Sequence, residues 1–313
     1  MKILPSVSIP SAPKSKSPKT KVLVILGQTA TGKSDLAVAV ARKFGGEVIS
    51  ADSRQVYKGL DIGTGKITKK EMQGVPHYLL DVASAKKKFT VAEYKALADA
   101  KIADIISRGK LPILCGGTGF YINAVTSGAV FPEVPPNQKL RATLEKKSAP
   151  VLFAMLKKLD ARRANGIDAK NKVRLVRAIE IAKYMGKVPA VKYAKLPYQF
   201  IKIGLTLPLP DLETKIKIRL EKRIKAGMLR EATRLHAAGL SWKRMEELGL
   251  EYRHMALYLQ KKISKQEMIA GLETAILQYA KRQMTWFKRD KKITWYSPKD
   301  ERKILLSLAK NFH

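Results

Sequence analysis

The sequence predicts an α/β fold, a parallel sheet flanked by helices with an inserted all-helical domain. Three observations carry the prediction. Short, wholly apolar runs rich in β-branched residues recur along the chain, as strands buried on both faces require. Stretches of helical period separate them. A basic segment near the middle has helical character and no clear strand.

The first strand is Val22-Leu23-Val24-Ile25-Leu26, apolar on both faces. Helical spacing follows from Lys33 to Phe44, and Glu47-Val48-Ile49 reads as the second strand. Residues 92–107 alternate at helical period, and Leu111 to Cys115 is a further buried strand ending at Gly116-Gly117. Strands and helices alternating in this way wind a parallel sheet. Near Phe131 the character changes: Pro132, Pro135 and Pro136 read as a linker, and residues 137–187 as helices. Between residues 135 and 199, 16 Lys and Arg stand against 4 Asp and Glu, a net of +12. Phe200 to Leu205 returns to strand character, and helices follow over 211–226, 228–238, 251–260 and 264–289. The expected organisation is therefore a disordered basic arm over 1–20, an α/β core over 21–130 and 200–313, and a helical insertion over 131–199.

The formal net charge is +35 over 313 residues. Such an excess points to a polyanionic partner, because Lys and Arg displace the counterions condensed on phosphates. No run of about 18 apolar residues occurs, so no membrane span is expected. Cys115 is the single cysteine. It excludes an internal disulfide and a zinc site built from several cysteines, and fits a reducing, cytoplasmic setting. Residues 1–20 hold four prolines and no acid, without an apolar leader core; continuous helix is excluded there.

Gly27-Gln28-Thr29-Ala30-Thr31-Gly32-Lys33-Ser34 matches G-x-x-x-x-G-K-[ST] between a strand and a helix, the context this phosphate-binding motif needs. The glycines turn backbone N–H groups inward around an anion, and the helix N-terminus adds partial positive charge. Lys33 can reach the terminal phosphate and Ser34 can hold Mg²⁺. The core is thus expected to be P-loop NTPase-like. The loop alone does not choose between a kinase, an NTPase and an enzyme that releases diphosphate.

Asp52 ends the second strand, where α/β sheets place ligands. Two readings stay open from spacing: a carboxylate that accepts a proton from an amine, or a helix N-cap. The stretch from Asp52 to Thr64 resembles the D-S-x-Q-x-Y-x-x-x-D-I-G-T block of the tRNA dimethylallyltransferases. Four further blocks agree in order: Gly74-Val75-Pro76-His77 with Leu79-Leu80-Asp81; Gly116-Gly117-Thr118; Arg174 to Glu180; and Ala280 to Trp286. Together they span about residues 22–296.

The resemblance implies that dimethylallyl diphosphate lies over the P-loop and that the anticodon stem-loop of tRNA threads between core and insertion. It implies that the adenosine 3′ of the anticodon is flipped out of its stack. Asp52 would take a proton from N6 as N6 attacks the prenyl carbon, Thr118 would help to hold substrate, and Arg219 would contact diphosphate, with Arg223 beside it. The tRNA contacts it implies fall on Asp52, Ser53, Arg54, Gln55, Thr118, Val173, Arg174, Leu175, Val176, Arg177, Tyr252, Arg253, Lys281 and Arg282. A monomer is expected.

Arg219 and Arg223 share a helix face, as do Arg174 and Arg177. His77 and Cys115 read as structural, and Trp286, Phe287 and Trp295 as core. Asp81 reads as a strand-end cap or as a Mg²⁺ ligand. Val173 stands where the family usually has glutamine, Glu251 where it has glycine, and Ala161 where it has proline. No cysteine/histidine zinc finger of the kind some eukaryotic members append is present, so the likeness is to the bacterial type. Three rivals use the same residues differently: a P-loop phosphotransferase on a small acceptor, a prenyltransferase on free adenine nucleotides, and a non-catalytic RNA-binding protein.

Overall fold

The computed structural model describes residues 20–312; the arm expected over 1–20 falls, apart from Thr20, outside them. Two compact units make up the fold. One joins the chain up to Ile122 with Leu196 onward, and the other is Asn123–Lys195.

In the first unit the chain runs β1 (Thr20–Gly27), α1 (Lys33–Phe44), β2 (Gly46–Ser50), α2 (Lys69–Met72), β3 (His77–Tyr78), α3 (Val91–Ser107) and β4 (Leu111–Gly116), and α4 (Gly119–Thr126) crosses from it into the second. β1 is the middle of the sheet: Val22 to Leu26 are buried, and the strand pairs in parallel with β4 on one side. Burial on both faces is what its unbroken apolar run encodes. α3 begins with a Thr90–Glu93 capping box, each side chain answering the other's backbone N–H. α1 is N-capped by Gly32, which has no side chain to bond its first amides.

The second unit holds β5 (Ala129–Val130), α5 (Gln138–Glu145), α6 (Ala149–Leu159), α7 (Ala161–Asn165), α8 (Lys172–Met185) and β6 (Lys192–Tyr193). Its helices close on Leu144, Leu152, Leu156, Leu175 and Ile179, all buried. A buried Glu180 carboxylate accepts from Arg141, Arg177 and the Asn137 N–H. The unit starts eight residues before the expected boundary and ends four before it. Two interactions explain the shift. β5 pairs antiparallel with β6, and the proline segment is no linker, since Val134 is buried in this unit's core and its carbonyl accepts from Arg177.

The chain returns to the first unit as β7 (Tyr198–Leu205), α9 (Leu209–Lys225), α10 (Met228–Ala237), α11 (Trp242–Leu248), α12 (Leu250–Leu259), α13 (Lys265–Phe287), β8 (Ile293–Tyr296) and α14 (Glu301–Phe312). The sheet order is β3-β2-β4-β1-β7-β8, with every neighbouring pair parallel. α11, β8 and α14 lie outside the expected elements. β8 is four residues long and is defined by its pairing with β7, too short to declare a period. α14 places Ile304 and Leu308 in the same core as Leu36 and Val40 of α1. Because β4 sits between β2 and β1, the segments leaving these three strands emerge side by side.

Candidate active site

The loop leaving β1 curls through three positive-φ residues, Gly27, Ala30 and Gly32. Gly27 has φ 140, and a Cβ there would lie 2.2 Å from the Leu205 carbonyl oxygen, so only glycine lets β7 pass this close. Thr31 is buried and donates to the Gln28 carbonyl at 2.8 Å. Lys33 Nζ donates to the same carbonyl. Gln28 is buried too, and its amide reaches the Ala280 carbonyl. The side chains of Gln28 and Thr31 are therefore the wall of the loop, while Ser34 is exposed at the start of α1.

Two arginines of α9 stand near this loop and the 63–65 segment. Arg219 donates to Thr29 Oγ1 at 3.4 Å and to the Gly65 carbonyl at 3.2 Å. Arg223, one turn later, donates to the Gly63 carbonyl at 2.6 Å and pairs with Glu251 at 3.0 Å. Arg219 reaches the P-loop, whereas Arg223 faces the 63–65 segment. The unusual Glu251 thus supplies the carboxylate that balances Arg223. Burial lowers the proton affinity of Arg219, and the Arg223 charge adds to that effect.

The segments leaving β2 and β4 meet beside the loop. Asp52 Oδ1 accepts from the backbone N–H groups of Arg54 at 2.8 Å and Gln55 at 3.3 Å. No helix follows, so the cap reading of Asp52 resolves into a turn held by one carboxylate oxygen. Thr118 Oγ1 accepts from the Ser53 N–H at 2.9 Å, and the Thr118 N–H donates to the Ala51 carbonyl at 3.0 Å. Asp52 is thereby clamped between two residues that both answer to Thr118. Its charge is felt by Lys33 and Arg219 and by Tyr94, Tyr121 and Tyr279. Tyr94 and Tyr121 stack at 3.9 Å. Burial raises the hydroxyl pKa of all three tyrosines, so they stay protonated.

Several expected contact residues are placed otherwise. Leu175 and Val176 point into the core of the second unit, because α8 turns that face inward; Val173 is 80% exposed and Arg174 is exposed on the other face. Arg177 is held by Glu180 and the Val134 carbonyl. Tyr252 is buried, and its hydroxyl donates to Glu231 at 2.6 Å, so its ring cannot meet RNA. The Gln55 side chain bonds Ser50 and the Gly65 carbonyl, and Arg54 Nη1 donates to the Ser53 carbonyl. Ser53 itself is tied to Thr118. Arg253, Lys281 and Arg282 are exposed. Asp81 pairs with Lys66 at 2.6 Å, which also holds Asp61, so its carboxylate belongs to an ion-pair cluster. His77 Nδ1 lies 2.9 Å from the Val75 carbonyl and burial lowers its pKa, a structural placement. Cys115 is packed under Lys33, with burial pushing its pKa up to about 12. Trp286 packs against Gly119 and Trp295 against Gly204.

Three further residues stand at the site: Tyr279, Gln283 and Glu231. Gln283 had a signal. It falls in the inward stripe Met268, Leu272, Ile276, Ala280, Gln283, Phe287 of α13, and an amide on an apolar stripe needs partners.

A Mg²⁺ ion fits the donor set in a limited way. The exposed Ser34 hydroxyl is a hard oxygen at the loop's end, and among the described residues no group of three or more His, Cys, Asp or Glu could hold a metal. The remaining ligands would be phosphate oxygens and water, the usual habit of Mg²⁺.

Burial lowers Lys33 to a pKa of about 8, with Arg219 adding to the fall and Asp52 opposing it. The folded pKa lies below that of free lysine. An anion seated on the loop favours the ammonium and raises it again. The Lys33 contribution to diphosphate affinity should therefore be complete below pH 8 and decline by up to about tenfold per pH unit above it. Titration calorimetry with inorganic diphosphate in two buffers should show proton uptake above pH 8. Lys33→Ala should bind more weakly and lose the uptake; unchanged affinity in this variant would remove the loop from donor binding.

The IPP transferase family model matches residues 55–290. The chain is 44% identical over 283 residues to tRNA dimethylallyltransferase 2 of Treponema denticola, covering 89% of this chain and 95% of that protein. It is 41% identical over 275 residues to tRNA dimethylallyltransferase of Roseiflexus sp. (86% and 90%). Among solved structures, the full-length tRNA isopentenylpyrophosphate transferase of Bacillus halodurans superimposes with TM-score 0.72 at 34% identity, over 94% of this chain and 97% of that one. A eukaryotic dimethylallyltransferase acting on tRNA superimposes with TM-score 0.70 at 26% identity, over 86% and 70%.

Proposed function

The chain belongs to the IPP transferase family, the tRNA dimethylallyltransferases, and on that premise we propose that it moves a dimethylallyl group from dimethylallyl diphosphate to N6 of the adenosine 3′-adjacent to the anticodon. It is an enzyme of tRNA modification. The observation that carries the detailed reading is the meeting of the Lys33–Arg219 cationic loop with the Asp52–Thr118 pair beside it. A phosphotransferase would use the same loop, but family membership and the adjoining carboxylate favour attack at carbon.

The chemistry follows from these placements. N6 attacks the first prenyl carbon, the C–O bond to diphosphate breaks, and the N6 proton passes to Asp52. One carboxylate oxygen holds the 52–55 turn, which leaves the other to receive the proton. Adenine N6 is a weak base, so loss of its proton must accompany attack. The negative charge that develops on the leaving diphosphate falls on the loop amides, Lys33 and Arg219, groups already oriented before the reaction. Mg²⁺, held through Ser34, would supply further neutralisation of that charge.

The polyanion reading has its own test. Binding of unmodified tRNA should weaken steeply as salt rises, with one counterion released per phosphate neutralised; a flat response between 50 and 200 mM salt (roughly the range over which such contacts are lost) would argue against it. The full activity is tested by incubation with labelled dimethylallyl diphosphate and unmodified tRNA, then nucleoside analysis; label on prenylated adenosine is expected, and transfer to free adenine nucleotides alone would overturn the reading. We further infer a cytoplasmic monomer, which sedimentation of the purified protein checks for size. Among the described residues no helix is long and apolar enough to cross a membrane.

A further inference from the structure

The P-loop and the Asp52–Thr118 pair lie on different strands, yet the reaction needs them at a fixed spacing. One side chain joins them. Gln283 of α13 is buried, and its Oε1 accepts from the Thr29 N–H at 2.7 Å while its Nε2 donates to the Gly117 carbonyl at 2.9 Å. Thr29 is also gripped at its hydroxyl by Arg219. Gly117 immediately precedes Thr118, whose hydroxyl and N–H hold the residues on either side of Asp52. A Cβ on Gly117 would sit 2.2 Å from Gln283 Nε2, so the glycine there makes room for the amide. The two bonds also fix which end of the amide is which, because only this orientation matches a donor to an acceptor on both sides.

We propose that Gln283 is a positioning residue that couples the diphosphate grip to the acceptor-side pair, Thr118 and Asp52. It touches neither reacting atom. It acts by holding Thr29 and Gly117 at a set separation, so that the breaking C–O bond and the proton acceptor stay aligned. The catalytic part of this inference rests on the prenyl-transfer reading; the bridge itself does not.

Two variants separate the roles. Gln283→Leu keeps the bulk and loses both bonds. It should lower kcat by about 10²-fold, the usual consequence of misplacing reacting groups by about 1 Å, with the donor KM within about threefold. Gln283→Glu keeps the acceptor for Thr29 but sets a carboxylate against the Gly117 carbonyl. When protonated, the acid regains a donor. Its activity relative to wild type should therefore climb as pH falls, whereas the deficit of Gln283→Leu should not change with pH. A kcat within about threefold of wild type in Gln283→Leu, or a pH-independent deficit in Gln283→Glu, would overturn the coupling. Hydrogen exchange at the Thr29 amide needs no substrate and reads the bridge directly. Protection in wild type that collapses in folded Gln283→Leu supports it even if the transfer reading fails, and unchanged protection refutes it.

Discussion

Replacing Asp52 with asparagine should slow dimethylallyl transfer by about 10²–10⁴-fold, the usual contribution of a positioned general base, and leave tRNA affinity nearly unchanged. The asparagine carbonyl can still accept from the Arg54 and Gln55 N–H groups, so the turn that Asp52 Oδ1 holds at 2.8 and 3.3 Å should survive. What disappears is the capacity to take the N6 proton. Asp52→Ala removes both functions and should abolish transfer. Comparing the two divides chemistry from turn geometry. Single-turnover transfer and tRNA binding, measured on each variant, check this. If tRNA affinity in the asparagine variant fell in step with its rate, Asp52 would be a scaffold for the RNA-facing loop and the base would have to be sought elsewhere.

The sheet and the anion grip were legible in the sequence because both are local. Val22 to Leu26 declares a doubly buried strand, and the eight residues that follow carry their own geometry. Asp52 and Thr118 were legible through short blocks whose context the sheet order then brought together. The departures have a different origin. The resemblance carries the whole block from Val173 to Arg177, and it does not distinguish the faces of the helix. The helical period of Leu175 and Val176, shared with Ile179 and Ala182, turns them toward the core of the second unit. Tyr252 and Arg253 likewise come with one family block, although adjacent residues on a helix face different directions. The roles of Gln283 and Glu231 are not legible in sequence because their partners are remote in sequence. Gln283 reaches back to Thr29 and Gly117, and Glu231 to the 61–63 segment. An acid on an amphipathic helix reads as a solvated face until the fold shows what it meets.

Glu231 carries the largest expected effect on stability. Its carboxylate is buried and accepts from the backbone N–H groups of Asp61, Ile62 and Gly63 at 3.0, 2.7 and 2.9 Å, and from the Tyr252 hydroxyl at 2.6 Å. Glu231→Ala removes the acceptor of all four donors, and two of them, the Gly63 N–H and the Tyr252 hydroxyl, are buried. At about 1–3 kcal/mol for each buried donor left unpaired, partly relieved by relaxation and water entry, a loss of about 4 kcal/mol or more is expected. Such a loss would be exceptional for a single substitution. Function should suffer with it, because the 61–65 segment that Glu231 anchors offers its Gly63 and Gly65 carbonyls to Arg223 and Arg219. Arg219 is in turn the link to Thr29 of the P-loop. The milder Tyr252→Phe removes one donor and keeps the ring, so it should cost about 1 kcal/mol and preserve the donor grip. Chemical denaturation of both variants, together with diphosphate binding at a temperature where each is folded, distinguishes an anchor from a bystander. If folded Glu231→Ala bound diphosphate like wild type, the 61–65 segment would not be what holds Arg219 in place.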